Sequence, residues 1–449
     1  MLRRFSAIFI VATALVAGGC LSHDPLVVPP GPTAAPPGAD LYVYVAEGRD
    51  SVLGTFGGAI SVYQLSADAE FLEGGPQASI PLANPRRLAR HPELDVLYVL
   101  GLNQIFAFDI TGGGLRSLCD DPEDTLSPPC ATAPRPGANP LDLIVRQSVD
   151  MNWVLYVVDG GIQLDQLTPT RVAAYPLDEN GGLPVRASSG ARNFNSLLYR
   201  GLAIAGHDLY IADSNLSEVD RFPIANDGSL PIPAPTPAPT PSPAPPTPTA
   251  IPTASPEPTP SPEPTATPIP TPTPDRWFVP GPQRIKIGAI PGTDPAQRIL
   301  YVITNRIQRL SSYTLDEDGQ LTDSPVVGDQ IAGFYQDLIV SPDNTRLFGA
   351  AFQVGRLDVY ALDEDGNIMP ESLVTTAEDP SGYPTGLAWL TFTDTSGDEQ
   401  HRLFVSQGGF GRVDSYRVLT GDRLAEDPVT SSLAKPDSFP TDVLVFVDD

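Results

Sequence analysis

Two short apolar phrases alternate along almost the whole chain, seven copies of each. The first is a strand-like run: LYVYV from Leu41, LYVLG from Leu97, LYVVD from Leu155, LYIAD from Leu209, LYVITN from Leu300, LFGAA from Leu347 and LFVSQ from Leu403. The second always follows it: ISVYQL from Ile60, IFAFDI from Ile105, VAAYPL from Val172, VDRFPI from Val219, LSSYTL from Leu310, LDVYAL from Leu357 and VDSYRV from Val413. Successive first phrases lie 56, 58, 54, 91, 47 and 56 residues apart, and 44 of the 91 belong to a proline-rich segment at 231–274. Strand alternation, turn residues and no helical period, recurring about every fifty residues, mark an all-β chain folded as a β-propeller with one blade of about four strands per unit. Seven units predict seven blades.

Each blade also needs an inner strand ahead of the first phrase. Candidates begin at Arg86, Leu141, Arg200, Arg284, Gln336, Thr385 and Thr441. The last follows the seventh blade, and the first blade has none of its own. The C-terminal strand is therefore expected to complete the first blade, closing the ring and leaving no open edge. Between each second phrase and the next strand stands a turn signal such as LDENGGL from Leu177, IANDGSL from Ile224, LDEDGQL from Leu315 and LDEDGNI from Leu362. Asp or Asn before Gly supplies the positive backbone angle that tight hairpins need. A calcium loop would need a bidentate Glu at its twelfth position, and counting from Asp316 that position is Val327.

Segment 231–274 is almost entirely Pro, Ala, Thr and Ser. It cannot bury a core and is expected to stay disordered and extended, as polyproline II. Because the repeat count runs through it unbroken, it reads as an insertion in the fourth blade and not as a linker between domains. The domain plan is a signal peptide at 1–19, a tether at 20–40 and one propeller at 41–449.

The N-terminus, MLRRFSAIFIVATALVAGGC, has two arginines, an apolar run from Phe5 to Ala17 and then Cys20. The run is short of the roughly 20 residues that cross a bilayer and reads as an export signal. It resembles the bacterial lipoprotein signal, with Ala17 where Leu is usual; that resemblance implies cleavage before Cys20, lipidation of Cys20 and a membrane partner through the acyl chains. Ordinary secretion is the alternative. The other cysteines, Cys119 and Cys130, lie close together, and export to an oxidising compartment predicts a disulfide between them. A net charge of −27, with two lysines in the chain, Lys286 and Lys435, argues against nucleic acid as a partner.

At LYVITN, at LARHPELDVLYV from Leu88 and at the aspartate-glycine hairpins, the chain resembles the lactonase-type seven-bladed propellers with YVTN-like repeats, a group that includes bacterial 6-phosphogluconolactonase. The resemblance spans about 41–449 apart from the arm. It implies the propeller and, for activity, hydrolysis of a lactone; it carries no catalytic residue onto a numbered position of this chain. Export from the cytoplasm points away from a cytoplasmic sugar phosphate as substrate.

Propeller ligands usually sit at the channel mouth where loops enter the inner strands. The residues there are Arg86 and Arg87, Leu141 and Asp142, Arg200 and Gly201, Gln283 and Arg284, Gln336 and Asp337, Thr385 and Gly386, and Thr441 and Asp442. From these, Arg86, Arg87, Asp142, Arg200, Gln336, Asp337 and Asp442 are the candidate ligand-binding set. Guanidiniums can fork onto a carboxylate-bearing ligand, and an aspartate becomes a candidate general base once burial raises its pKa. The alternative is that these charges pair around a wet channel. His91, His207 and His401 fall at the opposite ends of the inner strands, and no Ser/His/Asp or Cys/His arrangement is present. TGGGL from Thr111 occupies a turn and not a phosphate loop, so no cofactor and no metal is expected. Two functions follow: an envelope binding or scaffold module for a small polar ligand or protein, and a lactonase-like hydrolase. Strand alternation also predicts that the arm and the tether leave from one face, opposite the mouth.

Overall fold

The first-phrase strands are apolar at nearly every position, so they must bury both faces. In the third blade they do so by alternation: Leu155 and Val157 pack toward the second blade, and Val154, Tyr156 and Val158 toward the fourth. The same arrangement around the ring makes seven apolar clusters, one at each blade boundary. A fully buried Leu or Val contributes about 1.5–3 kcal/mol, so the stability of the ring resides between blades.

The computed structural model describes residues 35, 38–48, 58–101, 104–118, 131–132, 140–160, 162–163, 166–167, 171–184, 187–191, 199–230, 275–280, 282–289, 298–304, 309–316, 318–321, 326–330, 334–369, 372–376, 382–419, 423–432, 435 and 438–448. Their strands form seven antiparallel sheets of four or five strands, with one small separate hairpin. The inner strands are Phe439–Asp448, Arg87–Arg90, Pro140–Gln147, Tyr199–Ala205, Pro282–Ala289, Tyr335–Val340 and Pro384–Thr393, for blades one to seven. The C-terminal strand pairs with the first phrase from Asp40↔Asp448 to Gly48↔Phe439, so the last strand of the chain does complete the first blade. Cys20, Cys119, Cys130 and the proline arm lie outside the described residues.

The aspartate-glycine segments are turns whose acidic side chains serve their own backbone. Asp178, Asp316 and Asp363 each accept the N–H four residues on, and Gly181, Gly228, Gly319 and Gly366 all have positive φ. The carbonyls of these glycines accept a hydrogen bond from the first-phrase tyrosine of the preceding blade: Tyr98 to Gly181, Tyr156 to Gly228, Tyr210 to Gly319 and Tyr301 to Gly366. The first phrase and the aspartate-glycine turn are thus the two halves of one contact between blades.

Two features bear on orientation. Pro223, ending the third strand of the fourth blade, pairs with Asp208 at the start of its second strand, the position that Asp40 holds in the first blade. Leu230 and Asp275, which flank the arm, therefore emerge on the same face as Asp40. The tether expected at 20–40 is also held at one point: Ala35 is buried and bridges Phe392 of the seventh blade, its N–H on the Thr391 carbonyl.

Candidate functional site

A single irregularity shapes the channel mouth. In six blades the ladder between inner and second strand slips by one residue at the same place, skipping Thr441, Leu141, Gln283, Gln336 and Thr385 and, in the fourth blade, falling at Arg200 and Gly201. A β-bulge leaves its extra residue outside the ladder and re-aims it. Those residues, with Arg86 of the second blade, form an upper ring at the mouth. The next residue of each strand forms a second ring deeper in the channel: Asp442, Arg87, Asp142, Gly201, Arg284, Asp337 and Gly386.

The deeper ring ties the blades together. Asp442 accepts the Leu88 N–H, Asp142 the Leu202 N–H and Asp337 the Leu387 N–H, each reaching the inner strand of the following blade. Where the ring has glycine, the backbones come close instead: a Cβ on Gly201 would lie 3.1 Å from the Arg284 Cα, and one on Gly386 2.9 Å from the Asp442 Cα. Arg87 pairs with Asp442 at 3.2 Å and Arg284 with Asp142 at 3.0 Å. Both guanidiniums also donate to the Gln336 carbonyl, Arg87 at 3.2 Å and Arg284 at 3.0 Å. The bulge that takes Gln336 out of its ladder supplies the oxygen on which arginines from blades two and five meet.

This bar divides the channel. On the mouth side lies a cavity of about 280 Å³ lined by Arg86, Arg87, Arg200 and Arg284, by Gln283, Gln336, Thr385 and Thr441, and by Leu141, Tyr335, Phe352 and Phe439. Among the described residues, four arginines and no carboxylate line it. Beyond the bar, a second cavity of about 290 Å³ holds Asp142, Asp337 and Asp442 with Lys286, under a wall that includes Trp389, Leu387 and Leu444. Here the charges balance, since Arg87 and Arg284 reach into this cavity as well.

Burial sets the protonation behaviour. Desolvation lowers the guanidinium pKa of Arg86 and of Arg200, and the Nε of Arg200 has no hydrogen-bond partner among the described residues. Desolvation likewise raises Asp142 to about 6 against the pull of Arg87 and Lys286, and raises Asp442.

The structure brings the seven candidates to one channel but not to one chamber. Arg86, Arg87, Arg200 and Gln336 line the mouth, whereas Asp142, Asp337 and Asp442 lie beyond the bar, where they fasten blades. Missed in the candidate set were Arg284, which stands one residue after Gln283 in the same strand, and the aromatic residues Tyr335, Phe352 and Phe439. His91, His207 and His401 are where strand alternation puts them, opposite the mouth. The Nδ1 of His91 caps its turn by accepting the Glu93 and Leu94 N–H groups.

No family model matches the chain, and no curated protein does. Among solved structures, it is similar to a periplasmic gluconolactonase from Pseudomonas aeruginosa at 15% identity, covering 92% of this chain and 100% of that one with a TM-score of 0.57. A candidate 6-phosphogluconolactonase from Bacteroides uniformis matches at 15% identity, over 91% of this chain and 100% of that one, with a TM-score of 0.57. A Lactobacillus plantarum protein matches at 13% identity, over 91% and 99%, with a TM-score of 0.53. Likeness at this identity establishes the seven-bladed fold, and the chemistry has to be read from the mouth itself.

Proposed function

We propose that this propeller binds a small anionic ligand in its mouth chamber, at the cell envelope. The observation that carries the reading is charge separation: a chain of net charge −27 lines one cavity with four arginines and, among the described residues, no acid. Arg87 and Arg284 are engaged by Asp442 and Asp142 in the bar, and the Nε of Arg200 has no hydrogen-bond partner among the described residues. The chamber therefore has a positive potential that a carboxylate or phosphate can neutralise with forked hydrogen bonds.

Export and lipidation at Cys20 complete the proposal. Asp40 and the arm's flanks lie on the face away from the mouth, so an anchor at Cys20 would turn the mouth outward, toward a soluble ligand or an envelope protein. The arm would then lie on the membrane side as a spacer.

A lactonase-like hydrolase is the second reading, favoured by the gluconolactonase among the fold neighbours. On this geometry a lactone in the mouth would meet arginines and amides, and its base would have to come from water or from beyond the bar. Acid release from a panel of sugar lactones, run with thermal-shift titrations of sugar acids on the full chain and on Arg200→Gln, separates the two. Stabilisation by the acids, lost in Arg200→Gln, with no turnover supports binding. Turnover abolished by the same substitution promotes the enzyme, and no response to any acid or lactone removes the mouth as a ligand site.

A further inference from the structure

The mouth chamber is two-sided. Arg86, Arg200, Gln283 and Arg284, from blades two, four and five, make one arc. The other arc, from blades six, seven and one, carries Tyr335, Phe352 and Phe439 with the hydroxyls of Thr385 and Thr441. Those hydroxyls already donate to backbone carbonyls, Thr385 to Pro440 and Thr441 to Pro85, so the arc presents chiefly ring surface.

The rings are held in place by backbone built around them. Phe352 opens a one-turn 3-10 helix, Phe352–Val354, which ends on Gly355 in the left-handed region. Phe439 lies on Gly408, where an added Cβ would come within 2.5 Å of its ring. Phe352 stands 6.4 Å from Phe439 and 5.3 Å from Tyr383, both ordinary aromatic contacts. Tyr383 itself has φ of +50°, an uncommon conformation for a bulky residue, and its carbonyl accepts the Gly408 N–H. Phe352 and Phe439 remain only partly buried and line the chamber.

Resting on the anion-binding reading above, we propose that the ligand is a small ring-bearing carboxylate, its ring laid on the Phe352–Phe439 arc and its carboxylate turned to Arg200 and Arg86. A compact inorganic anion would satisfy the arginines and leave the aromatic arc wet. The chamber's volume, that of roughly nine waters, suits a ligand of one small ring and a carboxylate.

The test is calorimetric titration of the full chain with benzoate, cyclohexanecarboxylate, acetate and inorganic phosphate, on the parent protein and on Arg200→Gln, Arg200→Lys, Phe352→Ala and Phe439→Leu. Near-ultraviolet circular dichroism accompanies each variant as a folding check. The expected result is saturable binding of the two ring acids about tenfold or more tighter than acetate, a change of about 1.4 kcal/mol. Phe352→Ala or Phe439→Leu should bring the ring acids close to acetate, and Arg200→Gln should abolish binding that Arg200→Lys partly restores. If acetate or phosphate binds as tightly as benzoate, and the aromatic substitutions change nothing, the ring class is overturned while anion binding stands. If no anion binds, or if binding ignores Arg200→Gln, both the class and the anion reading fall.

Discussion

The bar across the channel predicts a large energetic coupling between Arg87 and Asp442. Each side chain is 9% exposed and they meet at 3.2 Å, so both charges are out of water. Among the described residues, Arg87→Met would leave the Asp442 carboxylate the Leu88 N–H and the Gln336 carbonyl the Arg284 guanidinium. Removing one partner of a buried pair costs about 3–5 kcal/mol, because the survivor stays desolvated and uncompensated. Asp442→Asn keeps an oxygen for Leu88 and leaves the guanidinium the Gln336 carbonyl and the charges of Asp337 and Asp142 in place of its closest carboxylate, so it should also destabilise. The double variant buries no unpaired charge and should be less destabilised than the two singles together by about 3 kcal/mol. Urea unfolding followed by tryptophan fluorescence measures all four corners of the cycle. Burial raises the Asp442 pKa, so in Arg87→Met the carboxylate should protonate on acidification and the penalty should be smaller near about pH 5 than near about pH 8. Costs that add within about 0.5 kcal/mol, or a penalty that ignores pH, would refute the pair as the bar's fastening.

Asp142 offers a second pH test. Its folded pKa, about 6, lies above its ordinary 3.8, so the folded state takes up the proton first. Relative to Asp142→Asn, the parent should gain stability as pH falls from above 6 toward 4 and lose it on the way back, by at most about 3 kcal/mol; difference profiles of urea midpoints that stay flat would contradict this. Tyr156→Phe removes the hydrogen bond to the Gly228 carbonyl and should cost about 1 kcal/mol by the same unfolding assay. Gly228→Ala should cost more, roughly 1–3 kcal/mol, since φ is +84° and the new Cβ would lie 2.5 Å from Val154. Deleting Phe439–Asp448 removes the inner strand of the first blade and exposes Tyr44 and Val62 with their cluster; loss of the monomer peak in size-exclusion chromatography is the expected outcome.

Much of this architecture was legible because propeller packing leaves period-two traces. A strand buried on both faces must be apolar at successive positions, so LYVVD and LYIAD could be read directly, and the turn glycines announced where the chain reverses. Closure by the C-terminal strand followed from counting. The division of the candidate site was not legible. A bulge adds one residue to one strand and does not disturb the alternation on either side of it, so Gln336 and Asp337 looked like neighbours sharing a funnel when they belong to different layers. The aromatic arc was hidden for another reason. Phe352 and Phe439 belong to a turn and a strand entry, where no repeat phrase points, and only the folded ring brings them opposite Arg200.

The bulges also explain how one fold can keep its ring while changing what it binds. Residues of the deeper layer are constrained by the neighbouring blade: each is an aspartate reaching the next strand's N–H, a glycine admitting its backbone or an arginine closing the bar. In the upper layer Thr385 and Gln283 still bond the neighbouring blade and Leu141 packs on an apolar cluster, but Arg200 stands outside the ladder with its Nε unpartnered among the described residues, so it can differ without loosening a blade. Substitution of Arg200 should therefore change ligand binding at little cost in stability, while substitution of a deeper-layer aspartate should do the reverse. On that division, the deeper layer and the apolar clusters hold the ring, and Arg200 is the mouth residue most free to serve a ligand. Arg200→Gln against Asp337→Asn is the sharpest comparison of the two layers: the first should leave the urea midpoint unchanged, and the second should lower it, because an amide in place of the carboxylate weakens the clasp to Leu387 and the pairing with Lys286.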